Sequence, residues 1–383
     1  MPINVCLFTS TAIIGGTERM ALEFIGGCDR ERVRPSLICL QGSEPLLDEV
    51  RKLDAAGLDL NWRGLIDFRA RRSLCDFLRE QQIELIHNFG LRAELVSRPF
   101  AKRCGVRRIV SGIRGIDPWR RFYHIWADQL TAGAVDLFIA NSDAARLVAL
   151  KREKMPPEKV ITIHNGLRPL TRRAQVLRPQ GEQPPHEAPL RSECLAKYGI
   201  DEDRSPIIVQ VANLRPGKGY DLLLKAAAKL REEFPRLLVL CVGKDCMDGE
   251  LQRQARALEL HDTVLFPGYA ANAHEALTLA DVVTLPSRFE SFPVSILEAF
   301  AHARPVVASD VGGISEAVRD GENGLLIAKD DVAALTDSLR RLLADPALRE
   351  RMGRAARHTL EEHFTLTKMI DTLQETYERL LSP

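Results

Sequence analysis

Short apolar runs alternate with longer amphipathic stretches along the chain, and they fall into two successive sets. The first set comprises Ile3–Thr9, Ser36–Leu40, Leu58–Leu60, Ile83–His87, Arg108–Ser111, Leu137–Ala140 and Val160–His164. The second set comprises Ile207–Ala212, Leu237–Val242, Val264–Phe266, Val282–Leu285, Val306–Ala308 and Leu325–Ile327. Such short runs are typical of strands buried on both faces, and their alternation with helices is typical of parallel sheets. The pattern therefore predicts an α/β protein with two doubly wound, Rossmann-like domains.

The segment between the two sets has a different composition. Leu167–Ser192 is poor in apolar residues and carries prolines among Arg, Gln and Glu, namely Pro169, Pro179, Pro184, Pro185 and Pro189. Such a segment is typical of an extended linker. We therefore expect an amino-terminal domain over residues 1–166, a linker region over 167–205 and a carboxyl-terminal domain over 206–364. Near the end of the chain, helical spacing of Leu366, Met369, Leu373, Tyr377 and Leu380 predicts a final helix.

Composition limits the classes of function that the chain can have. A length of 383 residues exceeds one typical core, and a net charge of +1 gives no overall attraction to nucleic acid. The eight cysteines lack the paired spacing of zinc sites, so neither a metal site nor a disulfide framework is predicted. No signal peptide and no apolar run of membrane-spanning length is recognised. We expect a cytoplasmic protein.

Two glutamates eight residues apart, Glu290 and Glu298, flank the start of a predicted helix after the run Val282–Leu285. We expect Ser291 to cap this helix and Pro293 to lie in its first turn. Unpaired N–H groups and the positive end of the helix dipole would then lie between the carboxylates, which suits a phosphate. Carboxylates also accept hydrogen bonds from sugar hydroxyls. Alternatively, Glu290 is a solvated loop charge and Glu298 a surface residue.

Two glycine-containing loops also join a predicted strand to a predicted helix. Gly15-Gly16 follows the first apolar run and would let a ligand approach the backbone, although a plain tight turn explains the pair equally well. The loop from Asn213 carries two cations, Arg215 and Lys218, which either bind an anion or are solvated surface charges. Neither loop has the spacing of a dinucleotide-binding motif or of a P-loop.

Other polar residues lie where apolar runs end, and ligands of parallel sheets bind at the carboxyl ends of strands. His87 ends the fourth run and is either a ligand contact or a hydrogen-bonded strand residue. Asn165-Gly166 predicts a turn, because both residues tolerate positive φ. Asp201 and Asp203 have the spacing of a metal motif, but they precede a new strand and we interpret them as a polar turn.

The stretch from Arg98 to Arg121 is rich in basic residues, with one acid, Asp117. The cations are Arg98, Lys102, Arg103, Arg107, Arg108, Arg114, Arg120 and Arg121. The aromatic residues Trp119, Phe122, Tyr123 and Trp126 lie close by. Two interpretations stay open. The stretch is a patch that contacts anionic lipid, or it is a solvated basic face with the aromatic side chains in the core.

Four further segments carry a recognisable pattern: Leu285–Phe292, Ile296–Ala301, Arg304–Glu316 and Gly321–Leu326. They closely resemble glycosyltransferase family 4, and the resemblance extends over nearly the whole chain. It implies the two-domain GT-B fold and identifies the glutamate pair with the E-x7-E motif of these retaining enzymes. It also implies that a final helix, over residues 365–383, packs back on the first domain.

The resemblance assigns roles to residues of this sequence. Lys218, helped by Arg215, would hold the diphosphate of the donor, although Asn213 stands where the family has an arginine. Glu298 would hold the ribose hydroxyls and Glu290 the donor sugar.

Backbone and neighbouring groups would complete the site. Gly15 and Gly16 would face the donor, and His87 would contact the transferred sugar. Asn213, Ser291, Phe292 and Val294 would complete the nucleotide-binding residues. Arg114 could meet an anionic acceptor, and Glu316 is either a secondary contact or a carboxylate favoured by a helix start.

The implied reaction moves a sugar, with retention, from a UDP- or GDP-type nucleotide-diphospho sugar to a glycan or lipid-linked acceptor, in cell-surface polysaccharide or glycolipid synthesis. The donor phosphate would take the acceptor proton, so no protein nucleophile, metal or other cofactor is expected. Peripheral contact with the inner face of a membrane fits such acceptors, whereas nucleic acid is not expected as a partner.

Three other functions remain as alternatives. A non-catalytic nucleotide-sugar-binding GT-B protein or partner subunit is suggested by Asn213 and by His164, which replaces the family's proline before Asn165-Gly166. A nicotinamide oxidoreductase is disfavoured, because the dinucleotide-binding glycine motif follows none of the predicted strands. A phosphorylase or epimerase of the same architecture would be distinguished by its product.

Overall fold

The chain divides into two units, and the first is formed from both of its ends. Unit 1 comprises Met1–Asn165 with Leu366–Pro383, and unit 2 comprises Gly166–Thr365. The computed structural model describes residues 1–12, 14–42, 45–64, 67–115, 121–170, 189–270 and 272–382.

Unit 1 is built on a seven-stranded parallel sheet with the order β3-β2-β1-β4-β5-β6-β7. Its strands are β1 (Ile3–Thr9), β2 (Val33–Cys39), β3 (Ala56–Asp59), β4 (Leu85–Phe89), β5 (Arg108–Ile113), β6 (Leu137–Ala140) and β7 (Val160–Thr162). Its helices are α1 (Gly16–Gly27), α2 (Leu46–Lys52), α3 (Phe68–Glu80), α4 (Leu91–Ser97), α5 (Phe122–Ala132), α6 (Asp143–Lys151) and, from the far end of the chain, α15 (Leu366–Leu381).

Unit 2 repeats this design on a six-stranded sheet with the order β10-β9-β8-β11-β12-β13. Its strands are β8 (Ile207–Val211), β9 (Leu238–Val242), β10 (Val264–Gly268), β11 (Val282–Leu285), β12 (Val306–Ser309) and β13 (Gly324–Ile327). Its helices are α7 (Arg191–Tyr198), α8 (Tyr220–Glu233), α9 (Glu250–Ala257), α10 (Ala273–Leu279), α11 (Val294–Ala301), α12 (Ile314–Ala317), α13 (Val332–Ala344) and α14 (Pro346–His363). All pairings in both sheets are parallel.

The apolar runs form the strands, because their side chains fill the core on both faces of each sheet. Every predicted run overlaps a strand, and the predicted bounds of β1, β6 and β11 agree with the structure at both ends. The prediction of an α/β protein with two doubly wound parallel sheets is therefore confirmed. Polar side chains fix several helix starts: Asp67, Ser142, Asn272, Asp331 and Asp345 each accept a hydrogen bond from a backbone N–H of the first turn.

Part of the predicted linker is helical. Within residues 167–205, α7 forms over Arg191–Tyr198, and Cys194 and Leu195 are buried in the core of unit 2. The Arg191 guanidinium donates to the carbonyl of Leu279 at 2.9 Å, which ties α7 to α10. Prolines 179, 184 and 185 lie outside the described residues.

Helix α15 packs on unit 1 through the apolar stripe seen in the sequence. Met369, Leu373 and Tyr377 are buried, and Arg32 pairs with Glu378 at 2.7 Å. The stripe runs on to the buried Leu381, whereas Leu380 is only half-buried.

The cysteines differ from expectation at one place. Cys75 of α3 is joined to Cys104 by a disulfide, because the turn that follows α4 brings Cys104 against α3. One disulfide thus forms, although the cysteine spacing predicted no disulfide framework. Six other cysteines are free thiols, and Cys246 is the exposed one among them. Among the described residues, no helix combines the length and the apolar character that crossing a bilayer requires.

Candidate functional site

The order of the strands in unit 2 marks one edge of its sheet as a binding position. From β8 the chain proceeds outward to β9 and β10, then returns to β11 on the other side of β8. In open parallel sheets, ligands bind at such a reversal, beyond the carboxyl ends of the two strands. The loops that follow β8 and β11 carry Lys218 and Glu290, respectively, so both side chains were positioned here by the topology.

The loop after β8 contacts the loop after β11 because one of its residues, Gly219, has no side chain. Gly219 has φ +69° and is the N-cap residue of α8. A Cβ on Gly219 would lie 1.9 Å from the carbonyl oxygen of Pro286, which excludes any other residue without movement of a loop. The ring of Phe289 lies in the same way against Gly217.

An arginine fastens the two loops together. Arg288 donates its backbone N–H to the carbonyl of Gly217 at 2.8 Å and its guanidinium to the carbonyl of Pro216 at 2.6 Å. The same guanidinium forms a two-pronged ion pair with Asp221 at 2.8 and 2.9 Å. It also contacts Asp330 at 2.6 Å. A planar guanidinium matches a carboxylate in this geometry, so the loops are held rigidly.

Lys218 and Glu290 form an ion pair across the two loops. The ammonium lies 2.5 Å from Oε1 of Glu290, and the hydroxyl of Ser287 donates to the same oxygen at 2.7 Å. The Lys218 side chain is 28% exposed and that of Glu290 is 9% exposed. The pair is thus held at the surface of the loops, where a ligand can reach the ammonium.

The helix that carries Glu298 begins later than expected. α11 starts at Val294 with Pro293 as its N-cap residue, so the prediction that Ser291 caps it is wrong. The ring of Phe292 is buried 5.2 Å from that of Phe364, and the chain bends at Ser291 and Phe292 before the helix begins. Ser291 instead accepts a hydrogen bond at its carbonyl from the N–H of Gly313, at 2.9 Å.

Glu298 is not a surface residue. It lies in the second turn of α11 and is 4% exposed. Val294, at the start of the helix, is half-buried. Because Phe292 packs into the core, a ligand could contact it only through its backbone.

Two further polar residues of the loop after β8, Arg215 and Asn213, differ in how their side chains are held. Arg215 is exposed and pairs with no acid among the described residues, so it can turn toward an anion. Asn213 is exposed too, but its side-chain oxygen accepts a hydrogen bond from the N–H of Lys244 at 3.2 Å. It therefore shapes the loop after β9. Asp203 pairs with Arg236 in an exposed turn, in agreement with the interpretation of a polar turn.

In unit 1, the Gly15-Gly16 loop is closed by a glutamate. The N–H of Gly15 donates to the Glu18 carboxylate at 3.1 Å, across the first turn of α1. Burial raises the pKa of Glu18. A Cβ on Gly16 would meet nothing within 4 Å, so no close approach within the described structure requires glycine there.

His87 was predicted at the end of a strand, and that prediction is wrong. It lies in the middle of β4, which continues through Asn88 to Phe89. The ring is fully buried, and Nδ1 is 2.7 Å from the hydroxyl of Tyr377 on α15. Burial lowers the pKa of His87 well below its usual value, so the ring is neutral. Phe89 stands at the carboxyl end in its place.

Arg114 is half-buried at the carboxyl end of β5. It donates to the side-chain oxygen of Asn165 at 2.6 Å and lies over the ring of Phe89 at 5.0 Å. Burial lowers the pKa of Arg114 to about 10, partly offset by the charges of Tyr377 and Glu18. Its Nε has no hydrogen-bond partner among the described residues. Glu316, in unit 2, is half-buried in the first turn of α12.

The basic stretch does not form one exposed face. Arg98 is buried and pairs with Glu94 and Asp128, and Arg107 and Arg108 pair with Glu84 and Asp136. The aromatic side chains of Phe122, Tyr123 and Trp126 are exposed, so the interpretation that places them in the core is wrong. Asp117, Trp119 and Arg120 lie outside the described residues.

Three residues that matter to these sites were not singled out from the sequence. Arg288 and Ser287 lie in the segment that carries the resemblance. The sequence feature that could have identified Arg288 is its position as a cation two residues before Glu290. Tyr377 was assigned to packing alone, and no local pattern could connect it with His87, which is 290 residues away.

Comparison with known proteins gives matches to both parts of the chain. Residues 193–359 match glycosyl transferases group 1, and residues 14–169 match glycosyltransferase family 4. The alpha-D-kanosaminyltransferase of Streptomyces kanamyceticus is 27% identical over 67% of this chain and 63% of its own length. The chain spans about half the length of several other curated relatives.

One relative is matched over most of its length. The GDP-mannose-dependent alpha-(1-6)-phosphatidylinositol monomannoside mannosyltransferase of Mycolicibacterium smegmatis is 30% identical, over 73% of this chain and 72% of its own length. The crystal structure of Anabaena Alr3699/HepE in complex with UDP and glucose superposes with a TM-score of 0.84 at 19% identity. That superposition covers 98% of this chain and 100% of the other. The chain therefore belongs to the group 1 glycosyltransferases of glycosyltransferase family 4 and has the GT-B fold.

Proposed function

We propose that the protein is a retaining glycosyltransferase, which moves a sugar from a nucleotide-diphospho sugar to a glycan or lipid-linked acceptor in polysaccharide or glycolipid synthesis. The observation that carries this proposal is the contact between Lys218 and Glu290 at the reversal point of unit 2. A cation held there, next to the start of α8 and paired with a carboxylate, suits a ligand that combines diphosphate with hydroxyl groups.

Lys218 would stabilise the departing diphosphate. A nucleoside diphosphate carries more negative charge than one carboxylate, so it can compete with Glu290 for the ammonium. When the sugar–phosphate bond breaks, charge grows on the diphosphate, and a cation fixed beforehand costs no rearrangement at that moment. Arg215, which is exposed on the same loop, would supply a second cation.

The two glutamates would recognise the sugars. Released from the ammonium, the Glu290 carboxylate would accept hydrogen bonds from hydroxyls of the transferred sugar and face its developing positive charge. Glu298, buried in α11, would accept from the ribose hydroxyls. With retention, the acceptor attacks on the face from which the diphosphate departs and passes its proton to that phosphate.

The relatives indicate the class of donor, a nucleotide sugar. The neighbouring structure contains UDP and glucose, and the mannosyltransferase is GDP-mannose-dependent. We propose a UDP- or GDP-type donor and no metal requirement. The roles of Gly15 and Gly16 and the cytoplasmic location stay predictions.

A thermal-shift screen with UDP, GDP, ADP and their sugars tests the donor class. A nucleotide at 100-fold over its dissociation constant should raise the unfolding free energy by about 2.7 kcal/mol. If none of these nucleotides shifts the unfolding transition, the proposal fails.

Turnover by variants then tests the residues. With the donor found in the screen, Lys218→Ala should lose roughly 10²–10³ in rate, and Glu298→Gln should also lose most activity. Lys229→Ala removes an exposed cation from α8 away from the loops and should keep full activity. Normal rates for Lys218→Ala would defeat its assignment. Binding without transfer, over many acceptors, would favour a non-catalytic sugar-nucleotide-binding protein.

A further inference from the structure

The two carboxylate oxygens of Glu290 have different surroundings. Oε1 accepts hydrogen bonds from the Lys218 ammonium, at 2.5 Å, and from the Ser287 hydroxyl, at 2.7 Å. Oε2 accepts no hydrogen bond from the described residues, and it is not enclosed by them. A carboxylate oxygen without a donor can accept a hydrogen bond from a ligand hydroxyl. The protein therefore engages one oxygen of Glu290 and leaves the other available at the candidate site.

The Ser287 hydroxyl has a fixed position. The residue is fully buried, and among the described residues its side chain donates only to the Glu290 carboxylate. The preceding residue, Pro286, lies against Gly219. The following residue, Arg288, donates its backbone N–H to the loop after β8 at 2.8 Å. Because the chain is held on both sides of Ser287, its hydroxyl stays in place when a partner of the carboxylate moves.

Lys218 is less firmly bound to Glu290 than Ser287 is. The Lys218 side chain is 28% exposed, so a diphosphate can reach the ammonium and compete for it. A carboxylate held by the ammonium alone would then turn with it or swing into solvent. The Ser287 hydroxyl is buried and out of reach of a diphosphate. It therefore retains Glu290 when the cation changes its partner.

We propose that Ser287 is the positioning residue for Glu290. It holds Oε1, so that Oε2 faces the transferred sugar before and after the diphosphate takes Lys218. This role rests on the proposed function, since it requires a nucleotide sugar in the site. A carboxylate fixed beforehand need not be reoriented when positive charge develops on the sugar. Because Ser287 acts through Glu290, its loss should affect recognition of the sugar and spare recognition of the nucleotide.

Paired calorimetric titrations test the proposal. UDP, GDP and ADP are each compared with their glucose and mannose derivatives, and the variants are titrated with the pair that the parent protein binds. Ser287→Ala should raise the dissociation constant of the nucleotide sugar about tenfold or more, since a hydrogen bond to a charged group is lost. The dissociation constant of the nucleoside diphosphate should not change, because Lys218 and Glu298 are intact.

Three further variants separate the hydrogen bond from side-chain volume. Ser287→Thr keeps the hydroxyl and should bind the nucleotide sugar like the parent protein. Ser287→Cys keeps the size of the side chain but has a weak donor, and it should behave like Ser287→Ala. Thr284→Val is a matched control in β11, where it removes a buried hydroxyl that donates to the Val307 carbonyl at 3.0 Å. This control should bind both ligands like the parent protein.

A double variant shows whether Ser287 acts through Glu290. In a Glu290→Ala protein, the additional change Ser287→Ala should not weaken nucleotide-sugar binding further, because the carboxylate that the hydroxyl holds is already absent. A hydroxyl that only stabilised the loop would cause the same loss in both backgrounds. Circular dichroism verifies that each variant is folded.

Three results would overturn the proposal. Equal nucleotide-sugar affinity in Ser287→Ala and in the parent would show that Glu290 is oriented without the hydroxyl. Equal weakening of nucleotide-sugar and nucleoside-diphosphate binding would assign Ser287 to the structure of the loop, and so would a full further loss in the Glu290→Ala background. These results would leave the proposed function intact. If the parent protein binds none of the nucleotides, the proposed function itself fails, and the role of Ser287 fails with it.

Discussion

Replacing Arg98 by methionine would expose the energetic cost of a charge cluster inside unit 1. The Arg98 side chain is 1% exposed, and its acidic partners Glu94 and Asp128 are 8% and 4% exposed. The guanidinium also donates to the Ser111 hydroxyl at 3.0 Å and to the Thr131 hydroxyl at 3.1 Å. Methionine has a similar length but no charge, so two buried carboxylates would lose their cation.

The expected loss is large because the carboxylates stay behind. Breaking a buried ion pair by removing one partner costs about 3–5 kcal/mol, against a total stability of roughly 5–15 kcal/mol for a domain. A variant that also carries Glu94→Gln and Asp128→Asn should recover part of this loss, since no uncompensated charge remains. Arg72 is 87% exposed, and Arg72→Met should leave stability unchanged within error.

Tryptophan fluorescence during urea unfolding isolates the relevant unit. All three tryptophans, Trp62, Trp119 and Trp126, lie within residues 1–165, so the signal reports unit 1. This matters because a two-unit protein need not unfold in one step. A loss below about 1 kcal/mol for Arg98→Met would refute the reasoning, since buried charges then cost far less than assumed. A triple variant less stable than Arg98→Met would also contradict it.

Two further predictions concern pH and loop geometry. Burial lowers the pKa of His302 to about 3 and that of His87 well below its usual value. Below pH ~6.5 the unfolded chain therefore binds protons that the folded chain does not. As the pH is lowered, the free energy of unfolding should fall by about 1.4 kcal/mol per pH unit for each histidine. Urea unfolding as a function of pH checks this, and an unchanged slope in His302→Gln or His87→Gln would contradict it. Gly219→Ala should destabilise unit 2 and weaken nucleotide binding, because φ is +69° and the new Cβ would lie 1.9 Å from the Pro286 oxygen. Gly321→Ala, with φ +77° and open space, carries only the backbone strain of about 1–2 kcal/mol. Equal effects of the two substitutions on circular-dichroism melting would show that the close approach is unimportant.

The fold could be predicted from the sequence because each strand has a recognisable local pattern. A buried parallel strand needs a short apolar run, and runs such as Leu137–Ala140 have no other plausible place than a core. Helix starts were less certain. Ser291 has the right chemistry for a cap, but the packing of Phe292 against Phe364 decided where α11 begins, and such packing is invisible in a local window.

The candidate site was predictable in its residue types and not in its contacts. Lys218 and Glu290 are 72 residues apart, and only the strand order brings their loops together. The prediction for His87 was wrong because β4 continues through Asn88 and Phe89, which pair with β1 and β5. The contact of His87 with Tyr377 depends on a helix from the far end of the chain. The interpretation that placed the aromatic residues of α5 in the core was wrong, because composition alone cannot distinguish a buried apolar side chain from an exposed one.

The composition of unit 1 from both ends of the chain has a consequence for synthesis on the ribosome. Every residue of unit 2 is translated before α15, so unit 2 can reach its native packing while unit 1 still lacks a helix. Until Tyr377 emerges, the Nδ1 atom of His87 has no hydroxyl beside it and the surface that α15 later covers is open to water. The nascent first unit therefore exposes apolar surface for as long as some 200 later residues take to be made, a time of roughly 10–40 s at ~5–20 residues per second. Over that interval the growing chain is a natural client for a chaperone.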